Sequence, residues 1–125
     1  MFGISSYFES KFTQKIDFAD YKNQIAISES RIEFGNNSCG ETVAIIGKIK
    51  NQSELNWKDI TYEIIFYDAK KNVSDTGQEN EFSFILPATE EVPFKVSMKK
   101  EFDFEKYQSY EIRLVSARAK LRFFE

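Results

Sequence analysis

The sequence has no histidine and only one cysteine among its 125 residues, and these two shortages exclude several kinds of chemistry. Without histidine, neither a Ser-His-Asp triad nor a Cys-His pair can form, and no zinc site can use imidazole ligands. Cys39 has no internal disulfide partner and cannot build a multi-thiolate metal site. It lies in a turn-like stretch, where a small buried or incidental cysteine is commoner than a reactive thiol.

The usual substitutes for these groups are also missing. Glu90 and Glu91 are adjacent, so on a strand they point to opposite faces, whereas acid–base catalysis needs two groups that converge. Residues 68–75 carry Asp and Asn, but two lysines lie among them, unlike a calcium loop. There is no glycine-rich phosphate loop. The sequence therefore predicts a non-enzymatic protein with no cofactor and no metal.

The charge and the N-terminal segment bear on partners and location. The net charge is −3 and the pI is about 5.2, which disfavours nucleic acid as a partner. Residues 1–23 contain no apolar run of seven residues, so they match neither a signal peptide nor a membrane span. Either the protein stays where it is made or a leader has been removed, and the compartment stays open.

Large aromatic side chains are abundant, with 13 Phe and 6 Tyr, and the chain is organised around residues 42–72. Two runs of alternating apolar and polar residues flank a polar loop there. Such a period of two indicates half-buried strands, here two neighbouring strands of a sandwich. The inward positions are Val43, Ile45, Gly47 and Ile49 in the first run, and Ile60, Tyr62, Ile64 and Phe66 in the second.

Further alternation predicts strands over residues 24–35, with a break at 28–30, and over 80–86, 91–98 and 110–116. Residues 117–124 extend the last strand or form another, and residues 73–77 form a short edge strand or a loop. Pro93 indicates an edge or bulged strand. About seven strands favour an all-β, immunoglobulin-like antiparallel two-sheet sandwich over residues 24–125, with a small barrel as the alternative. Tyr110 is either a tyrosine corner or an ordinary core tyrosine.

Residues 1–23 are predicted to be a helical appendage, with a short amphipathic helix over residues 6–15. Ser6 and Glu9 have the spacing of a capping box. The helix either packs its apolar stripe on the sandwich or docks it on a partner or a membrane surface. Its polar face has few basic residues, which disfavours a membrane. The stripe consists of Ile4, Phe8, Phe12 and Ile16.

Several positions in residues 42–116 together resemble the bacterial FxLYD-type domains. The pattern comprises the first alternating run ending in Asn51, the sequence Phe66-Tyr67-Asp68, the pair Leu86-Pro87 and a later Val92-x-Phe94. The chain departs from the naming motif, since Ile64 and Phe66 replace its Phe and Leu, and Ala88 replaces a glycine. The resemblance implies an immunoglobulin-like accessory domain without enzymatic activity, exported or attached to an envelope.

Two functions remain open. The first is a protein–protein interaction module with an unidentified partner, and the second is a small-ligand or carbohydrate-binding module that uses exposed aromatics such as Trp57, Tyr62 or Tyr67. A lone Trp is more often a packing residue than a sugar platform. We expect an envelope location if the resemblance holds and a leader was removed, and otherwise the cytoplasm. Membrane association is expected only through such a leader or the N-terminal helix. Candidate partner-binding residues are Phe8, Phe12, Ile46, Trp57, Ile65 and Tyr67.

Overall fold

The computed structural model describes residues 16–120, apart from the side chains of residues 82 and 83. These residues form six strands arranged in two antiparallel sheets, with the orders β1-β2-β5 and β4-β3-β6. The sheets pack on each other around one apolar core, which confirms the predicted all-β two-sheet sandwich. The strands are β1 (Ile25–Asn37), β2 (Gly40–Asn51), β3 (Asn56–Tyr67), β4 (Val73–Leu86), β5 (Glu91–Lys99) and β6 (Ser109–Lys120).

The core-facing positions of β2 and β3 are those that the alternation predicts. Val43, Ile45 and Ile49 of β2 are fully buried. Ile64 and Phe66 are buried from the other side, as are the remaining predicted positions of β3. The two strands nevertheless do not pair with each other, because each is the central strand of a different sheet. The chain crosses from one sheet to the other between them.

A bulge in β1 explains the break predicted at residues 28–30. The pairing of β1 with β2 shifts between Ile27 and Glu29, while the strand itself is continuous. The backbone of β1 there approaches Gly47 so closely that a Cβ on Gly47 would lie 2.0 Å from the Glu29 carbonyl oxygen. Only glycine fits at this position, since backbone atoms cannot move aside as a flexible side chain can.

β4 and β5 form one flank of the sandwich. The segments 73–77 and 80–86, which the apolar pattern separates, lie in the single strand β4. Its pairing with β3 is irregular between Lys58 and Ile60. β5 is an edge strand, as predicted from Pro93, which has no N–H to donate to a further strand. Pro93 lies opposite Lys48 of β2.

Residues 16–24, which the structure describes before β1, pack against the core. Two short 3-10 turns, Phe18–Asp20 and Lys22–Gln24, lead into the first strand. Phe18 is buried and meets Trp57 edge to face at 5.2 Å between ring centroids, and Tyr21 lies 5.4 Å from the same ring. The predicted division after residue 23 therefore passes through a packed segment. The predicted helix over residues 6–15, with Phe8 and Phe12, lies outside the described residues.

Asn51 joins two of the chain crossings between the sheets. Its side-chain amide donates to the carbonyl oxygens of Leu55 (2.9 Å) and Pro87 (3.0 Å). Its Oδ1 accepts from both the backbone N–H (2.9 Å) and the hydroxyl (2.7 Å) of Ser53. The indole N–H of Trp57 donates to the same hydroxyl oxygen at 3.1 Å. These bonds satisfy a buried amide, whose burial would otherwise be costly.

A tyrosine hydroxyl closes the crossing between β5 and β6, but it belongs to Tyr107 rather than Tyr110. The Tyr107 hydroxyl accepts from the backbone N–H groups of Glu101 (3.1 Å) and Phe102 (3.3 Å) and donates to Asp75 (2.8 Å). Bonds to backbone groups a few residues upstream are the mark of a tyrosine corner. The hydroxyl of Tyr110 instead shares a hydrogen bond with a serine of β1.

Candidate functional site

The outward apolar residues of β2 and β3 do not form one surface. Ile46 lies on the outer face of the β1-β2-β5 sheet, whereas Ile65 and Tyr67 lie on the outer face of the β4-β3-β6 sheet. All three are half-buried. Ile46 therefore does not share a surface with Ile65 and Tyr67, because β2 and β3 belong to different sheets.

The outer face around Ile65 is largely polar, and some of its side chains are hydrogen-bonded to each other. Ile65 lies between Thr76 of β4 and Glu111 of β6. The Tyr67 hydroxyl donates to Glu111 at 2.6 Å, and this hydrogen bond raises the pKa of Tyr67 above its usual value. The predicted residues Ile65 and Tyr67 are thus close together, but they lie among polar side chains.

The aromatics predicted as ligand platforms are buried. Trp57 has no exposed surface, since Phe18 and Tyr21 cover it. Tyr62 is also fully buried and stacks on Phe94 at 5.3 Å, with 16° between the ring planes. Neither ring presents a face to a ligand or to a partner, so Trp57 is corrected from a candidate binding residue to a core residue.

Burial also isolates the polar end of Tyr62. Its hydroxyl has no hydrogen-bond partner within the described part of the chain. Desolvation, with a smaller contribution from the nearby Glu81 carboxylate, raises the pKa of Tyr62 far above its usual value. The phenol therefore stays neutral and cannot act as a base near neutral pH.

Sequence reasoning missed a group of exposed phenylalanines at one end of the sandwich, here called the end aromatic cluster and defined as Phe34, Phe102 and Phe104. Their exposed fractions are 36%, 47% and 57%, in that order. The rings of Phe34 and Phe104 lie 4.8 Å apart between centroids. The available signal was a charged segment, residues 99–109, that carries aromatic residues without an alternating pattern.

The end aromatic cluster lies on a fixed base. The ring of Tyr107 lies 6.2 Å from Phe34 on one side and 4.9 Å from the core residue Phe66 on the other. Tyr107 is buried, and this burial, together with its bond to Asp75, raises the pKa of its hydroxyl. The Gln108 side chain further donates to the Phe104 carbonyl at 3.1 Å. The crossing is thereby held while its phenylalanines face solvent.

Two surface hollows offer little to a small molecule. One, of about 180 Å³, lies beside Cys39 and Met98, and the other, of about 260 Å³, lies between β1 and β6. Both are smaller than ordinary ligand pockets, which begin at roughly 300 Å³. Within residues 16–120, no three acidic or cysteine side chains are placed to hold a metal ion. Cys39 is exposed in the turn between β1 and β2.

Comparison of the chain with known proteins identifies no relative. No family model, no curated protein and no solved structure matches the chain. Over the part of the chain that the structure describes, no helix has the length and apolar character needed to cross a membrane.

Proposed function

We propose that this protein is a non-catalytic accessory module that binds another protein through the end aromatic cluster. The observation that carries the proposal is the exposure of three phenylalanines at one end of the sandwich, above the hydrogen-bonded Tyr107. Exposed aromatic groups on a rigid base are typical of the central contact residues of protein interfaces.

The surroundings of the cluster favour a protein partner over a small ligand. Exposed charged residues of both signs flank the phenylalanines along the crossing, among them Glu101, Asp103 and Lys106. An apolar centre within a polar rim is the usual arrangement of a protein interface. The carbohydrate-binding alternative loses support, because Trp57 and Tyr62 are buried.

We further propose that the sandwich belongs to the immunoglobulin-like class. The sheet orders β1-β2-β5 and β4-β3-β6 match strands A, B and E packed on strands C′, C and F of that class. The backbone bonds of Tyr107 supply the corner that precedes strand F. Both features support the assignment.

Membership of the FxLYD-type domains and attachment to a bacterial envelope remain parts of the proposal. Some residues that carry the resemblance meet in space, since the Asn51 amide bonds the carbonyl oxygens of Leu86 (3.3 Å) and Pro87 (3.0 Å). This contact gives the spacing of Asn51 and Leu86-Pro87 a structural reason.

The test compares capture by the wild-type chain with capture by Phe102→Ser/Phe104→Ser. Cross-linked pull-downs from the source cells identify candidates, and each candidate is then purified and its Kd measured by calorimetry. Loss of two interface aromatics is expected to weaken binding by at least about 100-fold. A matched control, Val73→Ser/Ile85→Ser, removes exposed apolar groups from β4 and should leave the Kd unchanged.

Folding is checked for each variant by circular dichroism and thermal unfolding. A purified partner that binds the cluster variant as tightly as the wild type would exclude the end aromatic cluster as the binding site. Heat on titration with simple sugars that is lost in the same variant would favour the ligand-binding alternative instead.

A further inference from the structure

The outer edge of β6 offers an open strand edge beside an apolar cleft. Within residues 16–120, β6 pairs with β3 on one side and with no strand on the other, and β1 ends the second sheet on the same flank. An open edge presents a row of backbone donors and acceptors to an incoming strand. The cleft of about 260 Å³ between the two edges is lined mainly by Ile25, Ile27, Ile112 and Leu114, with Lys22 and Arg113 among its lining residues.

The side chains along this edge have a self-complementary order around Ile112. Tyr110, Ile112 and Leu114 lie opposite core residues of β3, so they are on the inner face. Between them, Glu111 and Arg113 are exposed on the outer face with opposite charges. Read in either direction from Ile112, the chain meets one charge and then one large apolar group.

We propose that β6 pairs antiparallel with β6 of a second copy of this chain, about a twofold axis at Ile112. The two β4-β3-β6 sheets then form one continuous sheet of six strands. In this register Glu111 lies opposite the partner's Arg113, and Tyr110 lies opposite the partner's Leu114. Each contact occurs twice, as a twofold interface requires.

The charges select this register over its neighbours. Directly opposed residues in an antiparallel pair have Cβ atoms about 5 Å apart, so opposite charges stabilise the pair and like charges destabilise it. An axis at Glu111 or at Arg113 would place that charge opposite its own copy. An axis between two residues would pair inner with outer side chains, which the alternation of a sheet forbids.

Intramolecular contacts already hold both charges over the outer face. Glu111 accepts from the Tyr67 hydroxyl at 2.6 Å, and Arg113 lies 3.0 Å from Glu63. These contacts confirm that both side chains lie on the outer face, where they remain exposed, and β6 pairing would compete with their contacts to β3. The proposal does not rest on the end aromatic cluster, which lies at one end of the sandwich rather than along this edge.

The first test is sedimentation equilibrium of the full chain with single and double charge reversals. Glu111→Arg alone or Arg113→Glu alone puts like charges opposite each other at two places, so the dimer is expected to weaken about tenfold. Glu111→Arg/Arg113→Glu restores opposite charges across the axis and should return the Kd to within about threefold of the wild type. Lys95→Glu, an exposed reversal on the other sheet, is the matched control.

The double variant separates pairing from folding, because it loses both the Tyr67 bond and the Glu63 ion pair of the monomer. If only intramolecular contacts mattered, it would be the most impaired of the three. A wild-type chain that remains monomeric at about 1 mM, or a double variant weaker than both single variants, would overturn the proposal.

The second test fixes the register by cross-linking. In a Cys39→Ser background, Ile112→Cys should form an intermolecular disulfide on mild oxidation, because opposed Cα atoms lie about 4.5–5.5 Å apart. Val115→Cys is the control, since six residues of register place the two thiols about 20 Å apart. A dimer that cross-links through residue 115 and not through 112 would show a different contact and reject this one.

Discussion

The two flanks of the sandwich expose edge strands of opposite character. On the β4–β5 flank, Glu79 lies opposite Tyr62 and Glu81 opposite Ile60, so half-buried carboxylates occupy the core-facing row of an edge strand. On the β1–β6 flank the corresponding positions include Ile27 and Ile112. Both flanks close the same core, but among the described residues only the β4–β5 flank has carboxylates in the core-facing row of an edge strand.

The difference shows that the two flanks are not equally protected against the addition of another strand. Inward-pointing charges and an edge proline discourage a strand from adding to a sheet, and the β4–β5 flank has both, with Pro93 in β5. On the β1–β6 flank the core-facing residues of the two edge strands in the cleft are the apolar Ile25, Ile27, Ile112 and Leu114, while Lys22 and Arg113 also line it. Selective protection of one edge favours strand pairing at the other.

The largest change in stability is expected from adding a methyl group to Gly47 of β2, which faces the bulge in β1. Gly47→Ala places a Cβ against the Glu29 backbone, so the free energy of unfolding should fall by about 3 kcal/mol. Gly77→Ala is the control on the other flank, where the Cβ meets only the flexible Met98 side chain. It should cost about 1 kcal/mol by chemical denaturation. Equal losses at both glycines would contradict this contrast.

A smaller effect of opposite sign is expected at Tyr62, which lies across from Glu79 in the carboxylate-lined flank. Tyr62→Phe removes a buried hydroxyl that has no partner among the described residues, so it should raise the free energy of unfolding by about 1 kcal/mol. Denaturation in urea at neutral pH measures the change. A loss of stability would instead reveal a hydrogen bond to this hydroxyl.

The same variant has a distinct pH dependence. Burial raises the pKa of Tyr62 in the folded state, whereas an unfolded tyrosine ionises near about pH 10. Above that pH the unfolded chain releases a proton that the folded chain keeps, so the wild type loses stability as pH rises. The advantage of Tyr62→Phe should therefore grow between about pH 9 and pH 11. A constant difference over this range would argue against a neutral buried phenol.

The smallest change in stability is expected from removing the inward charges of β4. Glu79→Thr/Glu81→Thr should alter the free energy of unfolding by only about 0.5 kcal/mol, because both carboxylates are half-buried. The double variant should, however, self-associate through the edge of β4, which no longer carries inward charges. This self-association should persist when Arg113→Glu weakens β6 pairing. Sedimentation velocity distinguishes this from β6 pairing. An unchanged sedimentation profile would mean that other features protect the β4 edge.

The strands and their core faces could be predicted because alternation is a local property. The alternation of neighbouring residues was enough to predict that Val43, Ile45 and Phe66 face the core. The continuity of β4 was missed because its core-facing row includes acids, and an apolar pattern ends where Glu79 and Glu81 begin. The sheet to which β2 or β3 belongs depends on pairing with distant segments, which no local period encodes.

The candidate site was harder to predict for a related reason. Trp57 is buried because Phe18 and Tyr21 cover it, and both residues fall within the predicted appendage. Phe34 lies on the inward side of its strand by alternation and is nevertheless partly exposed near the end of β1. Exposure at the end of a sandwich depends on how the last crossing passes over it, and Tyr107 determines that path.

The bonds of Asn51 have a consequence for the order of folding. Its amide reaches carbonyl groups as far as 36 residues along the chain, at the second of the two crossings that it joins. Such contacts form only once both sheets have come together, so they belong on the native side of the folding barrier. Interactions made after the transition state slow unfolding without speeding folding. We therefore expect the bonds of Asn51 to act chiefly on the lifetime of the folded state, since they must break before either crossing can separate.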